Sequence, residues 1–382
     1  MTSTLVAGAG LAAAPLFGVQ SVLAQSAANG SSDLRGARAY AATSATSGMV
    51  PINIERRDIR RDDVLIDILY CGVCRSDIHM ARGEWAGVVF PVVPGHEIIG
   101  RVSAVGSAVT RFKVGDVAGV ATIVDTCGVC ENCKRGIEQY CLNRVVFTYN
   151  SPETGTGKNT FGGYSDKIVV TERFVISIPD RADLPATAPL LCAGATTYSP
   201  MQHWNLKSGQ RVAIVGLGGL GHVAVKLAAA RNAEVTVFTT SPDKIADARR
   251  FGAKDAYLWT DTTAFERMGN SLDLIISTVP NAYPMQQFVN LLKLDGTLVN
   301  VGALEQLEAG LDGRFMARRR KSISGSLVAS VAETQEMIDY CVARNIKSDI
   351  EIIPIQDINR AYDRIVAKDV RYRFVVDMAS LR

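Results

Sequence analysis

The 382-residue chain lacks a charge imbalance: 41 basic side chains stand against 38 acidic ones, a net charge of +3. That balance removes the electrostatic reason to expect nucleic acid or an anionic membrane as a partner. No basic stripe, aromatic-rich repeat or internal repeat is visible. Also missing is any charged side chain before Asp33. Leu5 to Ala24 is rich in Ala, Gly, Leu and Val, but Gly8, Gly10, Pro15, Gly18 and Gln20 make it a poor transmembrane helix. Val22-Leu23-Ala24, followed by Gln25-Ser26-Ala27, has the small residues of a signal-peptidase site, without the basic region that should precede one. Two readings stand: an export leader of twin-arginine type whose true start lies upstream of Met1, or a disordered, non-functional extension. In either case residues 1–34 are set outside the fold.

Apolar residues at 47% and charged residues at 21% are ordinary for a globular protein, and the length allows two domains. From Arg38 the chain reads as short strands and turns: Val64 to Tyr70, Ile98 to Val105 and Val117 to Val124, punctuated by Gly95, Gly100, Gly106 and Gly115. After about Asp183 the texture becomes α/β, with strands at Gln210–Val215, Glu234–Phe238, Leu274–Ile276 and Thr297–Val301. Alternating strands and helices predict a doubly wound parallel sheet. A helix at Thr334–Arg344 and a strand at Tyr372–Asp377 are expected to return to the first domain. The expected division is thus a β-rich domain over 35–183, an α/β domain over 184–330 and a returning segment over 331–382.

The eight cysteines are unevenly placed. Cys127, Cys130, Cys133 and Cys141 fall within fifteen residues, with Gly128 and Gly136 for tight turns. Four thiolates at this spacing suit a closed tetrahedral zinc, a structural site with no room for substrate. Two local disulfides, favoured if the protein is exported, or an iron–sulfur site are the alternatives. Elsewhere, Cys74-Arg75-Ser76-Asp77-Ile78-His79, Gly95-His96-Glu97 and Leu191-Cys192-Ala193 are each weak signals. Together they supply Cys, His and Cys, the ligand set of a catalytic zinc that keeps one position open, with Glu97 a carboxylate able to take that position.

Gly216-Leu217-Gly218-Gly219-Leu220-Gly221 follows a strand and opens a helix, the context a dinucleotide-binding turn requires. The helix N-terminus then offers amides and a positive dipole to a pyrophosphate. At the end of the next strand an acidic residue would bind a ribose 2′-hydroxyl. Here the run is Phe238-Thr239-Thr240-Ser241-Pro242-Asp243-Lys244, in which hydroxyls and a lysine can hold a 2′-phosphate, predicting NADP(H). Asp243 reads as a helix cap.

Taken together, Cys-Gly-Val-Cys at 71–74, Gly-His-Glu at 95–97, the four-cysteine loop, Phe161-Gly162-Gly163-Tyr164 and Leu-Leu-Cys-Ala-Gly at 190–194 resemble the zinc-containing medium-chain alcohol dehydrogenases. The resemblance is to the cinnamyl alcohol dehydrogenase and bacterial aldehyde reductase branch, and runs from Arg38 to Leu381. It implies a GroES-like catalytic domain beside a Rossmann cofactor domain, and two zinc ions per chain. It implies Cys74, His96 and Cys192 as catalytic ligands with Glu97 exchangeable, Cys71 as the non-ligating member of its pair, and Asp77 behind His96. Ser76 would contact the alcohol oxygen and start a proton relay that His79 completes; an exposed helix position is the alternative for His79. Thr196, Val301-Gly302, Ser324 and Ser326 would meet the nicotinamide end, or pack as ordinary strand ends. Trp85 would stand at the pocket mouth, or be a surface aromatic. Tyr198 and Trp204 read as packing residues.

The implied reaction is hydride transfer between NADP(H) and an aldehyde or alcohol. A polyol or threonine dehydrogenase on the same scaffold, and an exported protein that binds NADPH or zinc without catalysis, are the rivals. Family members are commonly homodimers. The cofactor implies the cytoplasm, the leader the periplasm.

Overall fold

The computed structural model describes residues 35–302, 307 and 310–381. The expectations for residues 1–34 lie outside the described residues. Among those described, no helix is long and apolar enough to cross a membrane.

The first lobe is built on a seven-stranded sheet. Asp63–Gly72 is its hub, flanked by Ile98–Val105 on one side and by Lys167–Thr171 and Arg373–Asp377 on the other. Val117–Val120 and Val175–Ser177 extend one edge, and Ile350–Pro354 closes the other. Val375 pairs with Gly72 and Val376 with Cys71, so the end of the chain completes the sheet that carries the first cysteine pair.

One expected strand divides. Val117–Val120 stays in the large sheet, but Ile123–Thr126 leaves it to pair with Val145–Phe147. Between them, Ala121 O and Thr122 O accept hydrogen bonds from the Thr148 hydroxyl and amide, which turns the chain away. A continuous apolar pattern cannot show such a change of partner.

The second lobe is a six-stranded parallel sheet. Its order is Asp255–Leu258, Glu234–Thr239, Arg211–Val215, Leu272–Ser277, Leu292–Asn300 and Ser322–Gly325. Val212 to Val215 are fully buried, as strands covered on two faces must be. The strand order reverses beside Arg211–Val215, which opens a crevice at the carboxyl ends of the strands. Helix Gly221–Ala230 starts there. Helices Ala193–His203 and Val331–Ala343 form the seam between lobes: Tyr198 donates to Glu336 at 2.7 Å, and Ser199 to Glu333 at 3.1 Å. The latter helix begins three residues before its expected start because Ser330 and Glu333 form a capping box.

His222, fully buried in Gly221–Ala230, is a second tie across the seam. Its Nδ1 lies 3.3 Å from Gly218 O, and its Nε2 lies 3.2 Å from the backbone nitrogen of Asp349. This suits a neutral ring that donates from Nδ1 and accepts at Nε2. Burial, then Lys226 and Arg373, pushes its pKa down to about 3, against about 6.5 for an unfolded histidine. The unfolded chain therefore binds this proton more readily. The stability from keeping the ring neutral is present above about pH 6.5 and is lost as the pH falls towards about 3. Urea unfolding of wild type and His222→Gln should show a stability gap that narrows by about 1.4 kcal/mol per pH unit across that window. A gap independent of pH would exclude the histidine as its cause.

Candidate active site

Four ligand atoms converge where the lobes meet. Those of Cys74, His96, Glu97 and Cys192 lie within 4.8 Å of one another, and all four residues are buried. Cys74 is the N-cap of the short helix Arg75–Ala81, and Cys192 precedes helix Ala193–His203. The Cys74 thiol is held well below its usual range, chiefly by a hydrogen bond from Cys192 against the opposing effect of burial. The thiolate form is thereby favoured at Cys74, the form that binds a cation. Cys71 is fully buried on the neighbouring strand and outside the cluster, its Sγ 3.6 Å from Gly72 O.

Asp77 has two roles. Its carboxylate accepts the Cys74 amide at 2.8 Å, which caps the helix, and it stands 3.2 Å from His96 Nδ1. The Gly95 amide and the Tyr164 hydroxyl, each at 3.1 Å, complete its shell. Burial opposes charge on His96, but Asp77, with the Cys74 sulfur, outweighs it and holds the imidazole well above its usual range. With Nδ1 so engaged, Nε2 is the nitrogen left to ligate, the arrangement typical of metal-binding histidines.

Glu97 is fully buried and is held by Arg373. Arg373 Nη2 donates to its two carboxylate oxygens at 2.6 Å and to Val73 O at 2.7 Å. Burial, opposed by Arg373, lifts the Glu97 carboxyl to about 7. Arg373 is absent from the expected site residues. Its signal was an arginine directly before the apolar run Phe374-Val375-Val376, a position where an unpaired charge would be costly. Tyr149, whose hydroxyl lies 3.1 Å from His96 Nδ1, was also missed.

From this cluster a cavity of about 830 Å³ runs into the second lobe. Cys74, Ser76, His79, Trp85, His96, Cys192 and Thr196 line one part of it. Ser76 and His79 sit three residues apart on one helical face. Ser76 Oγ is 3.8 Å from Cys74 Sγ, while His79 contacts Glu84 through Nδ1 and stacks on Trp85 at 5.1 Å. Phe147, Thr122 and Leu327 add walls that sequence reading did not find; the Thr122 hydroxyl is buried without a hydrogen-bond partner among the described residues.

The far part is lined by Gly216, Leu217, Gly218, Gly219, Leu220, Thr239, Thr240, Ser241, Lys244, Val301, Gly302 and Ser326. Gly216 has φ +92°, and a Cβ on Gly221 would stand 2.0 Å from Gly216 O, so the strand-to-helix turn needs glycine at each end. Gly221 packs inside that turn without lining the cavity, and Ser324 does not line it either. Asp243 is not a helix cap. Ser241 caps the 3₁₀ turn Pro242–Lys244, which places Asp243 within the first turn, and its carboxylate pairs with Arg371. With that acid neutralised, Lys244 is the charge left at the strand end.

Cys127, Cys130, Cys133 and Cys141 form a separate cluster, their sulfurs within 4.8 Å of one another. Cys127–Cys133 is 3.9 Å, Cys130–Cys141 3.8 Å and Cys127–Cys141 3.4 Å. Four sulfurs at tetrahedral positions around zinc would stand about 3.8 Å apart, given Zn–S bonds of ~2.3 Å. The amides of Cys130, Leu142 and Arg144 point at sulfurs from 3.4 to 3.5 Å. Against burial, amides led by that of Arg144 hold the Cys141 thiol down at about 6.

Comparison with known proteins places this geometry. Residues 60–180 match the alcohol dehydrogenase GroES-like domain, and residues 219–343 match the zinc-binding dehydrogenase domain. NADP-dependent alcohol dehydrogenase C 1 of Mycolicibacterium smegmatis is 50% identical over 90% of this chain and 98% of its own length. Cinnamyl alcohol dehydrogenase from Sorghum bicolor has a similar structure, with TM-score 0.87, 40% identity and coverage of 90% of this chain and 98% of that one. The cinnamyl alcohol dehydrogenase of Helicobacter pylori complexed with NADP(H) superposes with TM-score 0.85 and 40% identity, over 90% of this chain and 99% of that one. Zinc and NADP(H) are the cofactors, an alcohol or aldehyde is the substrate, and no membrane span is found among the described residues. The chain belongs to the zinc-binding alcohol dehydrogenase family, in the branch of the NADP-dependent alcohol dehydrogenases and aldehyde reductases.

Proposed function

We propose that the chain reduces aldehydes at a zinc held by Cys74, His96 and Cys192, with Glu97 as exchangeable fourth ligand. Aromatic and cinnamyl-type aldehydes are the preferred class. The observation that carries this reading is the cavity joining Cys74, His96 and Cys192 to Thr239, Thr240, Ser241 and Lys244. When bound, zinc supplies a Lewis acid for the carbonyl oxygen and NADPH supplies the hydride.

The chain's own residues do the rest. Ser76 delivers a proton to the product oxygen, and His79, on the same helical face, replenishes it. Asp77 fixes the ring of His96, and Arg373 holds the Glu97 carboxylate. Gly216 to Leu220 receive the pyrophosphate, while Thr240, Ser241 and Lys244 receive the 2′-phosphate. Thr196, Val301, Gly302 and Ser326 place the nicotinamide, and the indole of Trp85 offers an aromatic substrate a flat apolar face. Cys127, Cys130, Cys133 and Cys141 hold a second, structural zinc. The two sheets support a division at 183 and 330, with 331–382 returning to the first. A homodimer through the edge strand Ser322–Gly325, which has no outer neighbour among the described residues, would cover exposed Leu294 and Phe315.

Zinc analysis together with NADPH and NADH oxidation over an aldehyde panel tests the reading. Expected are two zinc ions per chain and a kcat/KM with NADPH about 100-fold above that with NADH, equivalent to ~2.7 kcal/mol. Cinnamaldehyde and benzaldehyde should outrun short aliphatic aldehydes. Two zincs without aldehyde-dependent oxidation would sink the enzymatic reading, and a higher efficiency with NADH would sink the phosphate assignment.

A further inference from the structure

The wall facing Lys244 comes from the other lobe. After helix Ile358–Val366 the chain reverses at Lys368, whose φ is +60°. That left-handed conformation ordinarily goes to glycine or asparagine. The reversal is held by the Lys368 amide on Ile365 O at 3.0 Å and the Asp369 amide on Arg364 O at 2.8 Å. The turn then leans on the strand end that follows Thr239. Arg371 pairs with Asp243, and the Lys244 ammonium lies 5.4 Å from the centre of the Tyr372 ring. Lys368, Val370 and Tyr372 line the cavity together with Thr240, Ser241 and Lys244.

The local charges do not cancel. Asp243 is paired with Arg371, Asp247 with Arg371 and Arg250, and Asp369 with Arg364. Lys244 and Lys368 make no salt bridge among the described residues. Burial holds the Lys244 ammonium below its usual range; Arg371 and Lys368 push it further down, and Asp243 and Asp247 push back. Thr240 and Ser241 add hydroxyls with no hydrogen-bond partner among the described residues. Exposed Lys368, buried Lys244 and the two hydroxyls thus line one stretch of the cavity, where neither ammonium has a salt-bridge partner among the described residues. That stretch suits a dianion.

We propose that Lys368 is a second cationic arm of the 2′-phosphate site, supplied across the cleft by the lobe that holds the metal ligands. The proposal rests on the assignment of Thr240 to Lys244 to that phosphate. Because Lys244 and Lys368 belong to opposite lobes, the 2′-phosphate also ties the lobes together, so cofactor selection and closure of the cleft share one ion cluster.

Calorimetric titration of the zinc-loaded protein with adenosine 2′,5′-bisphosphate and with 5′-AMP tests this apart from turnover. Lys368→Asn removes the charge while suiting the left-handed backbone, so the fold is kept. It should weaken bisphosphate binding about tenfold and 5′-AMP binding by less than about twofold. Lys368→Arg should restore most of the loss, and Lys244→Gln should weaken bisphosphate binding at least as much. Wild-type bisphosphate affinity in Lys368→Asn, with a loss in Lys244→Gln, overturns the role of Lys368 and leaves the assignment of Lys244 standing. Unchanged affinity in both variants overturns the two together. Equal weakening of both ligands by Lys368→Asn overturns the proposal as well, since the charge would then not be acting on the 2′-phosphate.

Discussion

Replacing Cys74 with alanine should lower aldehyde-dependent NADPH oxidation by roughly 10³-fold or more, and bring the zinc content from two ions per chain to one. The reason lies in the ligand set. Removing Cys74 leaves one sulfur and one imidazole: His96 remains fixed by Asp77 with only Cys192 and the tethered Glu97 beside it. Two strong donors hold zinc far less well than three. Cys71→Ser is the internal control. Cys71 lies three residues away and is as buried, yet it is outside the cluster. That variant should keep two zinc ions and most of the turnover. Near-normal turnover in Cys74→Ala, or loss of metal in Cys71→Ser alone, would show that the ligands are misassigned. Atomic absorption and a single-substrate rate measurement are sufficient.

The second large effect is on stability. Cys130→Ser should release the other zinc and lower Tm on the order of 10 °C, since a structural zinc contributes its binding energy to folding. The loop from Cys127 to Cys141 also reaches the other lobe. Glu138 accepts the Val331 amide at 2.7 Å, and the Tyr140 hydroxyl accepts the Leu327 amide at 3.1 Å. Leu327 lines the cavity. Loosening the loop should therefore raise the KM for aldehyde before it lowers kcat. A thermal melt, zinc analysis and steady-state kinetics follow the three consequences. If reductant alone lowered Tm as far as the substitution does, and wild type held a single zinc, the loop would be a pair of disulfides instead.

Short-range chemistry was the legible part of the site. The four cysteines of the structural cluster and the glycine turn at Gly216–Gly221 carry their meaning in local spacing, because each is made by one stretch of chain. The proposed catalytic ligands are scattered from Cys74 to Cys192, and became readable only as a set of residue types and through resemblance to a family. Arg373 and Tyr149 could not be read in that way. Each acts through a partner brought near by the sheet or the loop, and neither belongs to a local motif. Asp243 shows the same limit from the other side: its position before a helix suggested a cap, and a distant arginine claimed the carboxylate. In the fold, strands buried on two faces were plain from their apolar runs, whereas the break at Ala121-Thr122 was hidden because strands in two different sheets share one continuous pattern.

The pairing of Val375 and Val376 with Gly72 and Cys71 bears on how the chain comes to be made. The partners are roughly 300 residues apart, and contacts of such separation form late. A ribosome adding about 5 to 20 residues per second needs some 15 to 60 s to supply them. The second lobe, whose strands all lie between Arg211 and Gly325, can assemble during that interval. The lobe begun first must wait with an open strand edge beside its first cysteine pair, so the interval before synthesis ends is when this protein is most exposed to misassociation and most dependent on chaperones.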